Sequence, residues 1–196
     1  MGFIDKVMRE LRQIETVVAS SDKISPSDLL HKVAEIVDIP FVVAGGFARS
    51  IHATPRATGD VDVVVASKDL AALKSSFEKA EFKFKETLEY QKPTIIKYEY
   101  RGREVDIIDY SSPEFVDFIM ESCIKKTVFT RAYSFMGLEA LLVTKLCSFR
   151  FKDKADIVDL LKANKAVDLD TIKVWCITLG ILDRFAFLSE DHKNEM

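Results

Sequence analysis

The chain has 196 residues, of which 48% are hydrophobic and 30% are charged, so it can form one folded domain with a substantial core and is not expected to be disordered. Its net charge is −3, and lysine and arginine are scattered among acidic residues, which argues against a dedicated nucleic-acid coat. No apolar run approaches the roughly 20 residues that span a bilayer, the N-terminus lacks a signal peptide, and the three cysteines are widely spaced, so we expect a cytoplasmic protein with no membrane partner.

Two helices are predicted before the first strand. Apolar residues at helical spacing predict the N-terminal helix, and Ser25 followed by Pro26 predicts the start of the second. A Gly-Gly turn then separates a short strand from a short helix, which ends at the Thr54-Pro55 step. The predicted ranges are 2–19 and 25–37 for the two helices, 41–44 for the strand, 46–53 for the short helix and 60–66 for the second strand.

A helix, an edge strand and a hairpin follow, and the periodicity is helical from Gly137 onward. The hairpin turns at Arg101-Gly102-Arg103, and Pro113 begins a further helix. The predicted ranges are 67–80 for the helix, 82–85 for the edge strand, 94–100 and 104–109 for the hairpin, 127–133 for a last strand, and 138–149, 153–163 and 170–187 for the last helices.

This order of elements predicts an α+β fold, with a mixed β-sheet flanked by helices and the C-terminal helices packed on the core. The predicted parts are N-terminal helices over 1–39, a core over 40–136, a C-terminal helical subdomain over 137–188 and a polar tail over 189–196 that is expected to fray. No flexible linker separates these parts, so independent domains are not expected.

The segment from Phe41 to Val65 carries the clearest functional pattern. Residues on a strand alternate faces, so Asp60 and Asp62 project from the same side and repel each other unless a cation lies between them. Gly45 and Gly46 lack Cβ atoms, so their backbone N–H groups can approach a phosphate at a helix N-terminus. A carboxylate pair beside a phosphate cradle predicts chemistry on a nucleoside triphosphate.

A third carboxylate is expected from the second arm of the hairpin. Asp106 shares its strand with core residues but faces the other way, and beside Asp60 and Asp62 it would complete a site for two divalent metals. Asp109 is an alternative third carboxylate. Alternatively, these acids have no functional role and face solvent on their strands.

The residues quoted above resemble the polymerase-beta-type nucleotidyltransferase superfamily: Gly45-Gly46, thirteen intervening residues, Asp60-Val-Asp62 and a distant Asp106 on a strand. The stretch PRATGDVD at 55–62 is most similar to small prokaryotic nucleotidyltransferases related to abortive-infection (AbiEii-type) toxins. The segments LEALLVTK at 138–145 and RFKDKAD at 150–156 are similar to the downstream Lys and Asp motif of that group. The resemblance covers residues 40–161 and implies a nucleotidyltransferase-like fold.

The resemblance also implies roles for individual residues. Asp60 and Asp62 would bind two Mg²⁺ ions, for which Mn²⁺ could substitute, and Asp106 would bind the catalytic metal and assist deprotonation of an acceptor hydroxyl. The nucleotide-binding residues would be Gly45, Gly46, Arg56, Thr58 and Lys145. The implied reaction moves a nucleoside monophosphate from a nucleoside triphosphate to an unidentified hydroxyl, on RNA, a protein or a small molecule, and a toxin-like enzyme would have a cognate antitoxin-type partner. Gly46 departs from the commoner pattern, because many members carry Ser there.

Lys145 has a physical argument of its own. It shares the apolar stripe of its helix, and a buried ammonium is costly without a partner. It therefore extends to the rim, or it faces a triphosphate, or it faces Asp153 or Asp156 on the next helix. Those two acids could instead be a helix N-terminal charge and a solvated face, and Arg56 could be a solvated loop residue.

Two other functions stay open at this stage. The same fold could bind a nucleotide without catalysis, as a regulator. The apolar stripes of residues 3–18 and 172–185 could instead make the chain an interaction protein or a homodimer.

Overall fold

The computed structural model of the protein describes residues 23–89, 93–128 and 131–193. Within these ranges a seven-stranded mixed sheet is flanked by eight α-helices, and the prediction of a mixed sheet between helices is confirmed. The predicted helix over 2–19 lies outside the described residues. Among those that are described, no helix combines the length and the apolar character needed to cross a membrane.

The helices are α1 Pro26–Ile36, α2 Gly45–His52, α3 Leu70–Lys79, α4 Pro113–Glu121, α5 Leu138–Ser148, α6 Phe151–Ala163, α7 Leu169–Thr178 and α8 Leu182–Lys193, with a short 3-10 turn at Ser67–Asp69. The strands are β1 Val42–Val43, β2 Val61–Val64, β3 Lys83–Glu89, β4 Thr94–Tyr100, β5 Arg103–Asp109, β6 Ile124–Val128 and β7 Arg131–Phe135. Their order across the sheet is β3-β4-β5-β2-β1-β7-β6.

The two faces of the sheet are covered by different helices. Val61, Val63 and Val65 belong to a core that α1 and α3 complete, whereas Val64 belongs to a second core formed with α4, α5, α6 and α7. Because side chains alternate along a strand, Asp62 lies on the second face, under the C-terminal helices. The sheet and these helices therefore meet at the position of the predicted carboxylate site.

The predicted strand over 127–133 is wrong, because this region is a hairpin. β6 and β7 pair antiparallel, with Val128 opposite Arg131. The residues between the two strands, Phe129 and Thr130, lie outside the described ranges, and their sequence contains no glycine, proline, asparagine or aspartate to mark a turn. The extended-chain signal therefore runs through both arms without interruption.

The predicted single helix over 170–187 is also wrong. α7 ends at Thr178, where Gly180 adopts a φ of 69°. The N–H of Ile181 donates to the carbonyl of Cys176 at 2.8 Å, and the N–H of Gly180 donates to that of Ile177 at 3.0 Å, which is the pattern of a glycine-terminated helix. α8 then continues to Lys193, inside the tail that was expected to fray from Ser189.

Candidate active site

The Gly-Gly turn lies directly against the carboxylate of Asp62. Gly45 begins α2 with a φ of 53°, and a Cβ atom there would overlap Oδ2 of Asp62. The N–H of Ala44 donates to the carbonyl of Asp62 at 2.8 Å, which fixes the turn on β2. Only glycine satisfies both the backbone conformation and the close approach. The N-terminus of α2, where Ala44 provides no side-chain cap, thus faces the carboxylate site.

The structure brings Asp62 and Asp106 together. They are paired in register on the adjacent parallel strands β2 and β5, so both side chains project from the same face of the sheet. Asp60 precedes β2 and is exposed. The alternative acid, Asp109, ends β5 on the opposite face and accepts a hydrogen bond from Ser67 at 2.6 Å.

The carboxylates raise one another's proton affinity. Burial, followed by repulsion from Asp106 and Asp60, raises the pKa of Asp62 to about 6. Burial also raises the pKa of Asp106, helped by the charges of Asp60 and Glu104 and opposed by Lys97. Negative charge at this point of the sheet is therefore held at a cost that a bound cation would relieve.

The donor chemistry fits Mg²⁺ or Mn²⁺, because carboxylate oxygens are the ligands that these ions prefer. As the side chains stand, however, no group of three or more His, Cys, Asp or Glu residues within the described ranges is placed to hold a metal ion. Asp62 and Asp106 are adjacent. Asp60 acts on them by electrostatic repulsion, which raises the pKa of both. The paired carboxylates are thus present, and the complete cluster of three is not formed.

Lys97 forms an ion pair with Asp106, a contact that was not predicted from the sequence. Its Nζ donates to Oδ1 and Oδ2 of Asp106 at 2.9 and 3.0 Å and to Oε2 of Glu104 at 3.1 Å. Burial alone would lower the pKa of Lys97, but the hydrogen bonds to these two carboxylates raise it. Lys97 is the cross-strand partner of Asp106 in the β4–β5 hairpin. Counting back from a two-residue turn at Arg101-Gly102 would have found it.

A second group of charges lies between α2, α5 and α6. Lys145 is buried on α5, and its Nζ contacts Asp153 at 3.1 Å and Asp156 at 2.6 Å, so of the alternatives raised by the sequence the structure shows the ion pairs with α6. Asp153 also accepts hydrogen bonds from the backbone N–H and the Nε of Arg150, at 3.2 and 2.7 Å, which caps α6.

Asp156 connects this group to the loop before Asp60. Arg56 donates to both of its oxygens, from Nε at 3.0 Å and from Nη2 at 2.9 Å. The buried Arg49 places Nε 3.4 Å from Asp156 and donates from its other nitrogens to Asp159 and to the carbonyl of Thr54. Burial raises the pKa of Asp156, but the hydrogen bonds from Arg56 and Lys145 outweigh it and hold that pKa below the ordinary value.

Two further residues were missed at the sequence level. Arg49 resembles an ordinary helical arginine in the sequence, and its only signal is its position three residues after Gly46. Lys152 is exposed on the first turn of α6, and its charge, like that of Lys145, lowers the pKa of Asp62 against the larger effects that raise it. The start of α6 therefore adds positive charge that acts on Asp62.

Thr58 accounts for the glycine at position 46. A Cβ atom on Gly46 would lie 2.5 Å from Oγ1 and 2.7 Å from Cβ of Thr58. The Thr58 hydroxyl itself donates to the carbonyl of Asp60 at 3.3 Å. The space that a serine side chain would occupy at position 46 is thus filled from the loop.

We expect Gly46→Ala to lower the free energy of unfolding by about 1–3 kcal/mol, because the added methyl group collides with Thr58. In a Thr58→Gly background the same substitution should cost clearly less. Urea unfolding of the two single variants and the double variant measures this coupling. Strictly additive effects would show that Thr58 does not limit position 46.

We expect Lys145→Met to lower the free energy of unfolding by about 3 kcal/mol, because it leaves two buried carboxylates short of a cation. The matched control is Lys152→Met on the exposed surface of α6, which should stay within about 0.5 kcal/mol of the wild type. Chemical denaturation of both variants provides the comparison. Equal effects at the two positions would contradict a structural role for the buried pairs.

Asp62→Asn should stabilise the metal-free protein at high pH. The pKa of Asp62 is about 6 in the folded state and 3.8 as the ordinary value, so its contribution to stability is complete below about pH 4 and is lost as the pH rises through 6. The variant should exceed the wild type by roughly 2–3 kcal/mol at pH 8 with a chelator and match it at pH 4. Urea unfolding at both pH values tests this, with the exposed Asp38→Asn as control. A pH-independent difference would refute it.

No protein-family model matches the chain, and no curated protein matches it. Several solved structures, in contrast, are similar to the chain. The antibiotic-resistance factor ANT(2'')-Ia has a TM-score of 0.57 at 16% identity, over 85% of this chain and 96% of its own. A candidate nucleotidyltransferase from Thermotoga maritima has a TM-score of 0.53 at 14% identity, over 70% and 93%. The lincomycin-bound lincosamide antibiotic adenylyltransferase LnuA has a TM-score of 0.52 at 15% identity, over 72% and 99%.

At these identities the likeness establishes the architecture. The predicted nucleotidyltransferase-like α+β fold is confirmed, with a mixed sheet and C-terminal helices packed on it. The narrower resemblance to the toxin-related group stays a prediction. The chain has the fold of nucleotidyltransferases.

Proposed function

We propose that this protein is a divalent-metal-dependent nucleotidyltransferase that moves a nucleoside monophosphate from a nucleoside triphosphate to a hydroxyl group. The observation that carries the proposal is the pairing of Asp62 and Asp106 on adjacent strands, directly against the glycine turn that begins α2. Carboxylates beside an uncapped helix N-terminus supply both halves of a site for a metal-bound triphosphate. The nucleotidyltransferase fold of the chain agrees with this assignment.

The triphosphate would be bound chiefly by backbone. The N–H groups at Gly45 and Gly46 open α2 without a side-chain cap, so they would donate to the phosphate oxygens. Thr58 packs against Gly46, so its hydroxyl lies at the same cradle. Arg56 and Lys145 were predicted to bind phosphate, but their ion pairs with Asp156 favour a positioning role for both. Lys152 is then the better cation for the phosphates.

Asp60, Asp62 and Asp106 would hold the Mg²⁺ or Mn²⁺ ions. When bound, the metal would neutralise the charge of the triphosphate and of the departing pyrophosphate. Asp106 would accept the proton of the acceptor hydroxyl, a role that a carboxylate positioned at the reacting group can fill. Asp153 and Asp156 would act indirectly, by holding the side chains of Lys145 and Arg56 in position.

A small molecule is the first acceptor class to test. Two of the similar structures are an antibiotic-resistance factor and an antibiotic adenylyltransferase with lincomycin bound. The net charge of −3 also gives no general attraction for a large RNA. RNA and protein acceptors, a toxin-like role with an antitoxin-type partner, and a homodimer stay predictions from the sequence resemblance.

Thermal denaturation with each of the four common nucleoside triphosphates and Mg²⁺ tests nucleotide binding. At about 100 times its dissociation constant, the preferred nucleotide should add about 2.7 kcal/mol to the stability of the wild type. We expect no such shift for the Asp60→Ala/Asp62→Ala double variant and an unchanged shift for Asp109→Asn, a matched acid on the other face of the sheet.

Pyrophosphate release in the presence of hydroxyl-bearing acceptors then tests transfer. Asp106→Asn should lower kcat by a factor on the order of 10² to 10⁴, the range of an acid–base catalyst. Nucleotide binding with no transfer to any acceptor would make the protein a nucleotide-dependent regulator. The absence of any nucleotide shift would remove the basis of the proposal and favour an interaction protein.

A further inference from the structure

We propose that Lys97 is a resident cation of the carboxylate site, and that its ammonium group must leave Asp106 before a divalent ion can bind there. This inference rests on the proposed function for its biological meaning, because it concerns the same site. It goes beyond that function by giving Lys97 two alternative positions, one for the metal-free protein and one for the metal-bound protein.

The contacts of Lys97 use all three of its N–H donors. An ammonium group has three N–H donors, and Lys97 directs its Nζ at three oxygens, two on Asp106 and one on Glu104. The side chains of Lys97 and Asp106 are only 18% and 13% exposed, so solvent weakens this pair less than it would a surface ion pair. The ammonium thus holds both oxygens of the carboxylate that a metal would require.

The strand register places Lys97 within reach of Asp106. Lys97 lies opposite Asp106 in the antiparallel β4–β5 pair, and Glu104 lies opposite Glu99, two residues farther along. Side chains at directly opposite and diagonal positions on one face are within reach of a lysine. The cation is therefore placed by the same hairpin that carries the third carboxylate.

A metal ion and the ammonium compete for the same oxygens. Both are cations, and each gains from the negative charge of Asp62, Asp60 and Asp106, but they repel each other at contact distance. Displacement needs only a rotation of the flexible lysine side chain, with no movement of the backbone. Glu104, whose side chain is 42% exposed, remains as the partner to which the displaced ammonium can stay bonded.

This competition means that Asp106 is not a free ligand in the described structure, because Lys97 contacts both of its oxygens. It also predicts weak binding of a metal ion alone, because the ion must first remove an internal cation. A nucleoside triphosphate that arrives with the metal brings the extra negative charge that accommodates both cations. Metal binding and nucleotide binding should therefore be strongly coupled in the wild type.

The test measures the dissociation constant of Mn²⁺ alone, by electron paramagnetic resonance of the free ion, with no nucleotide present. We expect Lys97→Met to bind Mn²⁺ about tenfold more tightly than the wild type, because one net negative charge is freed among the ligands. Lys85→Met is the matched control. It removes a β3 lysine that is ion-paired with Glu99 on β4, and the variant's affinity for Mn²⁺ should equal that of the wild type.

A second pair of variants separates displacement from a general charge effect. Glu104→Gln removes the alternative partner of Lys97 and should weaken Mn²⁺ binding several-fold. In the Lys97→Met background the same substitution should change the affinity by less than about twofold, since no lysine remains to be relocated. An equal loss in both backgrounds would mean that Glu104 acts only through its charge, and it would contradict the two-position lysine.

Unchanged or weaker Mn²⁺ binding by Lys97→Met, or no binding by any variant, would overturn the inference. Lys97→Gln serves as the second variant if the methionine protein fails to fold. The proposed function can fail separately. Transfer activity with unchanged Mn²⁺ affinity in Lys97→Met would refute only the role of Lys97. Tighter Mn²⁺ binding that disappears with Asp62→Asn, without any nucleotide binding, would support the role of Lys97 and refute the nucleotidyltransferase.

Discussion

The structure of the site depends on the repulsion between two carboxylates that the sheet holds side by side. Asp62 and Asp106 are fixed by the parallel pairing of β2 and β5, and neither can move away without breaking that register. Their surroundings respond with positive charge on several sides: the N-terminus of α2, the ammonium of Lys97, and the lysines of α5 and α6. Even so, the pKa of Asp62 stays high. The positive charge of the described residues therefore does not fully compensate the two carboxylates.

A separate group of ions lies beside the first and has the opposite balance. Here cationic side chains surround buried aspartates, and each aspartate accepts hydrogen bonds from at least two cations: Asp153 from Lys145 and Arg150, and Asp156 from Lys145 and Arg56. Buried pairs of this kind add little net stability compared with apolar packing, but they are costly to break and so fix geometry. Through them, the loop that leads into Asp60 is held on α6. The two groups thus differ in their effect. The first concentrates negative charge at Asp62 and Asp106, and the second fixes the loop before Asp60 on α6.

The amino-acid sequence predicts much of this arrangement because strands impose a strict alternation. That rule placed Asp62 and Asp106 on one face, and the helical stripe of α5 restricted Lys145 to a few partners, among them the two aspartates that it contacts. Lys97 was missed because the hairpin turn was taken as three residues, 101–103, whereas Tyr100 pairs directly with Arg103. That difference of one residue hides the cross-strand partner of Asp106. Arg49 could not be found in this way, since its contacts with α6 join residues more than a hundred positions apart. The missed β6–β7 hairpin and the break at Gly180 have a simpler cause, because apolar periodicity continues across both turns.

The connection between Arg56 and α6 changes what the boundary at Gly137 means. The sequence suggests that a core ends there and that a helical appendage begins, and a shortened gene that stops at this point would look reasonable. Such a fragment would keep Arg49 and Arg56 but lose the aspartates that receive them, and it would expose the apolar face of the sheet on which α5 and α6 pack. The change from mixed to helical secondary structure at Gly137 is therefore not a position at which the chain can be truncated. An insertion, a tag or a circular permutation has better prospects elsewhere, on surface that carries neither these ion pairs nor this packing.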